Sequence, residues 1–389
     1  CQDKLGRVVR TATKGFNGTW IYSDTSFDSS GRIRHQSQPY YAGQSTYWST
    51  NSYDELGRLV QLLDPKSGVT TTVYAGLITT VTNPAGQQRK EEKNLLGEVV
   101  RVTDHLGVTG TTGAFVEYAY DTVGNLKQTQ VKTNGTNLAS GVPATITTTI
   151  GYDAWGRKTS LNDPDKGIWA YTYNAFDELI VQQDAKAQKS VLTYDALGRL
   201  FTRNDYRADT KLESSTIWPY DKNPNFVATV PGRPLGAVQN LLDIDGSTQI
   251  GSVVRILSYD AFKRPIGTSV ALDGGTAYAE TQTYDAWGRV FQRVDASGED
   301  RGLQYTYNTN GFPLATLESA KSGGTNTVYR TVVSMNAYGS VTQENLGNGY
   351  VTTRNFEAER GLSLTIRTAD VANLTDTQDL TLVWDMVGN

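Results

Sequence analysis

The 389-residue chain has a single cysteine, Cys1, so no disulfide framework can staple it from within. Its two histidines, His35 and His105, stand seventy positions apart without a cysteine partner. A structured metal site would therefore have to recruit distant carboxylates, and none is expected. No apolar run approaches the ~20 residues a membrane-spanning helix requires. No basic-then-apolar segment opens the chain, so any export signal is expected upstream of it. Charge of one sign is missing as well: 36 Lys and Arg against 40 Asp and Glu leave a net charge of −4, which is no electrostatic footprint for nucleic acid. The nucleophile-elbow, zincin, P-loop and dinucleotide fingerprints are absent, and the glycine-rich TGTTGAF at Thr109 sits between strand patterns. No catalytic residue and no cofactor is expected from these absences.

What the chain does have is glycine (38 residues), tyrosine (22) and abundant threonine, a composition of strands and turns. These residues recur in a pattern. YDELGRL at Tyr53, YDTVGNL at Tyr120, YDAWGRK at Tyr152, YDALGRL at Tyr194 and YDAWGRV at Tyr284 share one frame. Weaker copies begin at Gln2, Phe27, Lys93, Tyr173, Tyr259, Tyr307, Met335, Phe356 and Trp384. Intervals run mostly from 21 to 32 residues, with 21 repeated from Tyr152 through Tyr173 to Tyr194. Repeats of this length mark stacked supersecondary units rather than separate domains.

An aspartate followed three residues later by glycine fits a type I turn with a left-handed residue, a common hairpin connection. The structural signature is thus Tyr53, Asp54, Gly57 and Arg58; Tyr120, Asp121 and Gly124; Tyr152, Asp153, Gly156 and Arg157; Tyr194, Asp195, Gly198 and Arg199; and Tyr284, Asp285, Gly288 and Arg289. A second turn signal follows about ten residues on, as DPKSG at Asp64, NPAGQ at Asn83, DPDKG at Asp163 and DASGE at Asp295. One unit is then a β-hairpin, with Tyr-Asp turns on one edge of the sheet and the second turns on the other. Period-two alternation, as in IWAYTY, puts Trp169, Tyr171 and Tyr173 on one face. Stacked in register, the motif tyrosines are expected to form an aromatic ladder. The large residues within the turns, Leu56, Val123, Trp155, Phe176, Leu197, Phe262, Trp287 and Tyr338, are expected to pack over the neighbouring hairpin. Register is expected to survive at Tyr74, where AGL replaces the aspartate turn. Residues 203–257, with four prolines between Pro219 and Pro234, read as an irregular insertion or plug in a single array spanning 1–389. SGGTNT from Ser322 and TNGTNLASG from Thr133 read as hairpin tips.

The YDxxGR pattern at Tyr53, Tyr152, Tyr194 and Tyr284 resembles the YD-repeat, or Rhs, family, and the resemblance covers nearly the whole chain. That family includes bacterial polymorphic toxins, the C component of tripartite insecticidal toxin complexes, and animal teneurins. The resemblance implies an all-β fold, a continuous spiralling antiparallel sheet forming part of a hollow shell. It implies as partners the remaining repeats and core segment of the same protein and an enclosed polypeptide cargo. Its toxin members carry a DPxGL-type self-cleavage site. Here Asp64-Pro65 is followed by KSGV and Asp163-Pro164 by DKGI, so the family's catalytic aspartates map onto no position.

The leading expectation is a non-enzymatic wall of a secreted or cell-surface, bacterial shell that encloses a toxin or other polypeptide. The alternative is an extracellular recognition module for carbohydrate or a cell-surface protein, with the off-repeat Trp20, Trp48 and Trp218 as ligand candidates. An enzyme within 203–257 is a third and weaker reading. The sequons at Asn17, Asn134 and Asn373 matter only in a eukaryotic secretory setting. The array starts and stops inside a repeat, which reads as a truncated shell whose end strands, GRVVRTAT and DLTLVW, invite edge-to-edge association.

Overall fold

The computed structural model describes residues 1–105, 115–132, 145–221, 233–243, 245–295, 302–319, 327–371 and 376–389. Among them lie thirty-one β-strands and no helix, and the strand pairs resolved in each unit are antiparallel. The all-β hairpin fold read from the alternation and turn signals is the fold observed. By contacts the chain divides into two compact units, residues 1–114 with 303–389, and residues 115–302.

In the second unit fourteen strands, from Phe115–Tyr120 to Val290–Val294, each pair with the next along the chain. Odd and even connections therefore fall on opposite edges, and the Tyr-Asp turns share one of them. Residues 203–257 depart from the expected irregularity wherever they are described. Strands Leu200–Tyr206, Leu212–Ile217, Gly236–Leu242 and Gln249–Tyr259 pair in sequence, and only 222–232 and 244 fall outside the described residues. Of the four prolines Pro219 and Pro234 are described, and neither lies within a strand, as suits a residue whose nitrogen cannot donate to a ladder.

In the first unit, Trp20–Phe27 pairs with Arg10–Lys14, Ile33–Ser37 and Tyr40–Tyr41. Hairpins then run in order through Val99–His105, and again from Pro313–Ser319 to Asp376–Thr381. At Tyr74 the register is kept by a two-residue connection, Gly76-Leu77, between Ala75 and Ile78. The proposed tips at 133–141 and 322–327 lie wholly or almost wholly outside the described residues, as do TGTTGAF up to Ala114, Asn134 and Asn373.

Only Val102, Leu235 and Val332 form a buried apolar core among the described residues, and of these only Leu235 is fully buried. The alternation in Gly167–Tyr173 is nonetheless clean, with Ile168, Ala170 and Thr172 exposed and Trp169, Tyr171 and Tyr173 half-buried. A sheet with so little dry interior relies on what joins one hairpin to the next.

Candidate functional site

The five-residue turn is built the same way wherever aspartate opens it and arginine closes it. In the Tyr194 unit, Asp195 N–H donates to Arg199 O at 2.9 Å and Gly198 N–H to Asp195 O at 3.0 Å. One carboxylate oxygen of Asp195 accepts the backbone N–H groups of Leu197 (2.9 Å) and Arg199 (3.0 Å), and the other accepts Arg199 Nε at 2.7 Å. The same set recurs at Asp28, Asp54, Asp153, Asp260 and Asp285. The Arg199 side chain, then its backbone N–H, holds the Asp195 carboxyl below the usual carboxylate range. At Asp54 the Arg58 backbone N–H is the larger influence. A register shift accompanies each motif tyrosine, as between Thr193 and Tyr194, the bulge that a left-handed fourth turn residue imposes.

The arginine then reaches the next hairpin. Arg32 lies over the Tyr53 ring at 4.5 Å, Arg58 over Tyr74 at 4.3 Å, Arg157 over Tyr173 at 5.0 Å, and Arg264 over Tyr284 at 4.2 Å. Each of those tyrosines donates its hydroxyl to the carbonyl of the residue following the arginine: Ile33 (2.7 Å), Leu59 (3.2 Å), Lys158 (3.0 Å) and Pro265 (2.7 Å). Weak copies preserve the device. Arg7 covers Phe27, and Trp384 donates Nε1 to Ser363 O at 2.6 Å. The expected tyrosine ladder is thus corrected to tyrosines interleaved with arginines, because the guanidinium fills the space between adjacent turns and stacks favourably on an aromatic face.

The large turn residues do not pack as expected either. Leu56, Val123, Trp155, Phe176, Leu197, Phe262 and Trp287 are 71–84% exposed, and Leu5 and Leu96 are equally bare. The third turn residue stands in solvent, whereas the first and fifth bond to each other, as Asp153 with Arg157, Asn174 with Glu178 and Asp121 with Asn125. Tyr338 is the exception. It is half-buried, and its hydroxyl donates to Ala358 O at 2.9 Å.

Tyr338 belongs to a seam inside the first unit, where turns of the second kind meet Tyr-Asp-type turns 291 to 295 positions later. Asn308 Nδ2 donates to Phe16 O at 2.8 Å, and the Phe16 and Phe312 rings meet edge-on at 6.2 Å. Tyr41 donates its hydroxyl to Met335 O at 3.1 Å. Lys66 Nζ donates to the buried Glu357 carboxylate at 2.6 Å, which Arg360 Nε also reaches at 2.5 Å. Burial pushes the Glu357 carboxyl up, but Arg360 and Lys66 outweigh it and leave the group below its ordinary value. A cavity of about 840 Å³ opens on this seam, lined by Tyr40, Tyr41, Tyr47, Tyr338, Arg354 and Phe356, among others. Sequence reasoning missed these seam residues, since nothing in a repeat says which distant repeat it will meet.

The three off-repeat tryptophans have unlike surroundings. Trp20, 43% exposed, carries Lys14 Nζ at 4.2 Å over its ring. Trp48 meets His35 edge-on at 6.3 Å, and Trp218 belongs to the second unit, its N–H donating to Phe201 O. His35 hydrogen-bonds Thr50 Oγ1 at 3.0 Å, and no cluster of metal-ligating side chains occurs among the described residues. Asp64 and Asp163 accept backbone N–H groups of their own turns.

No protein-family model and no curated protein matches the sequence. Solved structures do. The TcdB2-TccC3 toxin-complex protein aligns over 100% of this chain with a TM-score of 0.75 at 17% identity. This is the YD-repeat fold. A TcdB2-TccC3-TEV structure matches equally well, at 0.75 and 17%. The Tc holotoxin pore of Photorhabdus luminescens, carrying a TccC3 D651A mutation, matches at 0.72 and 17%, again over the whole of this chain. The chain spans about a fifth of each of those chains, 22%, 21% and 21%. Among the described residues no helix of the YD-repeat array is long and apolar enough to cross a membrane.

Proposed function

We propose that this YD-repeat array is a stretch of wall in a toxin-type shell that encloses a polypeptide, and that it performs no turnover chemistry itself. The observation that carries the reading is the motif geometry. Its aspartates, arginines and tyrosines are consumed in locking hairpin to hairpin, and the same fold builds TcdB2-TccC3 over this chain's full length. A wall needs rigidity along the array rather than a reactive cleft, and contacts repeated at each hairpin supply it. Enclosure separates a cargo from protease and solvent until release. In this reading the partners are further repeats and the enclosed polypeptide, and the protein is exported.

Protease protection tests this. When the whole protein that carries this array is treated with trypsin, an enclosed polypeptide is expected to survive until the shell is opened by denaturant. Cleavage of that polypeptide at the rate seen in isolation would exclude enclosure. Binding of the array to glycan or cell-surface protein, with no protected segment, would select the recognition reading.

A further inference from the structure

The cavity of about 840 Å³ in the first unit is a space that joining hairpin to hairpin does not use. Its wall comes from the segment 39–47 and from residues between Ser334 and Ala358. Five half-buried rings line it, Tyr40, Tyr41, Tyr47, Tyr338 and Phe356. Three of the phenols are tied at their hydroxyls: Tyr40 donates to Asp24 Oδ2 at 2.6 Å, Tyr41 to Met335 O at 3.1 Å and Tyr338 to Ala358 O at 2.9 Å. Rings anchored in this way lose little freedom when a ligand arrives. The volume lies within the range of about 300–1,000 Å³ typical of small-ligand sites.

The polar part of the wall is unspent. Among the described residues the side chains of Ser45, Tyr47, Gln343 and Thr353 have no hydrogen-bond partner in the protein, and Gln343 and Thr353 stand opposite each other on paired strands. Asn336, which opens the Tyr338 turn, also lines the cavity, and its Nδ2 is buried without a partner. In comparable turns that nitrogen is matched, as Asn94 donates to Glu98 and Asn174 to Glu178, both at 2.6 Å. Here the fifth residue is Ser340, so the amide donor is left unmet, a cost recovered only when an acceptor is brought to it. The charges on the wall, by contrast, are already answered. Arg354 donates to the buried Glu344 at 2.7 Å, and Glu357 accepts Lys66 at 2.6 Å and Arg360 at 2.5 Å.

We propose that this cavity is a binding site for a neutral oligosaccharide. A charged ligand finds no free counter-charge on the wall, and a purely apolar one would leave its amides and hydroxyls desolvated and unpaired. Hydroxyls and carboxamides each both donate and accept, which is what the hydroxyls of a sugar also do, whereas a proline-rich peptide offers acceptors and few donors. The apolar faces of sugar rings lie on the tyrosines, and the sugar hydroxyls bond to Tyr47, Gln343 and Thr353. The site differs from the three off-repeat tryptophans, none of which lines it. The inference does not rest on cargo enclosure: protection of an enclosed polypeptide and saccharide binding are separate measurements, and failure of one leaves the other standing.

Saturation-transfer NMR and calorimetry on the protein that carries this array test it, with cellotetraose, maltotetraose and tri-N-acetylchitotriose as probes. An oligogalacturonate and a proline-rich peptide serve as the charged and polypeptide comparisons. At least one neutral saccharide is expected to bind with a Kd of about 0.1–1 mM, unchanged by salt because no charge is exchanged. Tyr47→Ala is expected to weaken binding at least about tenfold, and Tyr47→Phe and Gln343→Ala about threefold, each having lost a hydrogen bond to the sugar. Trp20→Ala, outside the cavity, is expected to leave the affinity as it was. Failure of all three neutral saccharides to bind overturns the inference. So does tighter binding of the oligogalacturonate or the peptide, and so does an affinity that neither Tyr47→Ala nor Gln343→Ala changes. Should Tyr47→Ala not fold, Gln343→Ala read by the same measurement decides.

Discussion

In the five-residue turn the fourth residue sits at positive φ whatever its side chain. Gly57, Gly156, Gly198 and Gly288 lie between 73° and 81°, and Ser67, Asp177, Ala187, Thr210 and Lys263 between 62° and 68°. Glycine adopts that conformation freely, whereas an L-residue is strained there by about 1–2 kcal/mol. Ala187→Gly is therefore expected to raise stability by about 0.5–1 kcal/mol after the added chain entropy of glycine is subtracted. Gly198→Val is expected to lower it by at least about 1–2 kcal/mol, and its Cβ would also stand 3.2 Å from Glu178 Oε1. Urea denaturation reads both, and a neutral Gly198→Val would remove the turn account. The turn carboxylates make a second prediction at this scale. Asp28, Asp54, Asp121 and Asp195 all have pKa values lowered on folding, so the unfolded chain takes up protons first as pH falls. Their stabilisation is present at neutral pH and is lost as pH drops below about 4 through the lowered folded values. The melting temperature should be flat from neutral down to that point and then fall steeply, and Asp195→Asn should flatten the fall. A melting temperature that rises on acidification would contradict the assignment. The glycines and aspartates were legible in the sequence because a turn is local, and its demands fall on the residues that form it.

At the scale of the hairpin, the link between units is an Asp–Arg–Tyr clasp whose arginine and tyrosine come from different repeats. Tyr194→Phe removes the bond to Leu179 O and is expected to cost about 1 kcal/mol, the usual net worth of such a hydrogen bond. Arg32 and Tyr53 should couple in a double-mutant cycle by about 0.5–1 kcal/mol. Arg32→Lys should lose most of that coupling, because a point charge does not stack as the guanidinium plane does. Additive single and double variants would show the stacking to be incidental. This clasp was only half legible. The recurrence of arginine was plain, but its partner depends on how far apart adjacent turns sit, and strand pairing sets that distance. The exposure of Trp155 and Phe176 was misjudged as well, because the motif alone does not say that the first and fifth turn residues bond to each other and leave the third in solvent.

For the whole molecule, the seam of the first unit decides what holds distant segments together. Glu357 is buried with Lys66 and Arg360 as its partners, so Glu357→Gln leaves two cations short of their acceptor and is expected to destabilise that unit by about 2 kcal/mol. Hydrogen exchange should quicken in the turns around residues 64–68 and 357–361, while strands Gly167–Tyr173 and Leu200–Tyr206 of the second unit keep their protection. Uniform loss across both units would mean that the seam is not a local device. The sequence by itself determined the all-β class, the hairpin as repeating unit, the positions of the Tyr-Asp turns and the family likeness, because each rests on contacts made within some twenty residues. Only the tertiary structure decided which repeats touch at a separation near 292, which turn residues are covered and which stand bare, and that the described parts of residues 203–257 contribute paired strands. Every repeat presents nearly the same local pattern, so no repeat can name its distant neighbour. That choice is made by the accumulated geometry of all the hairpins between them.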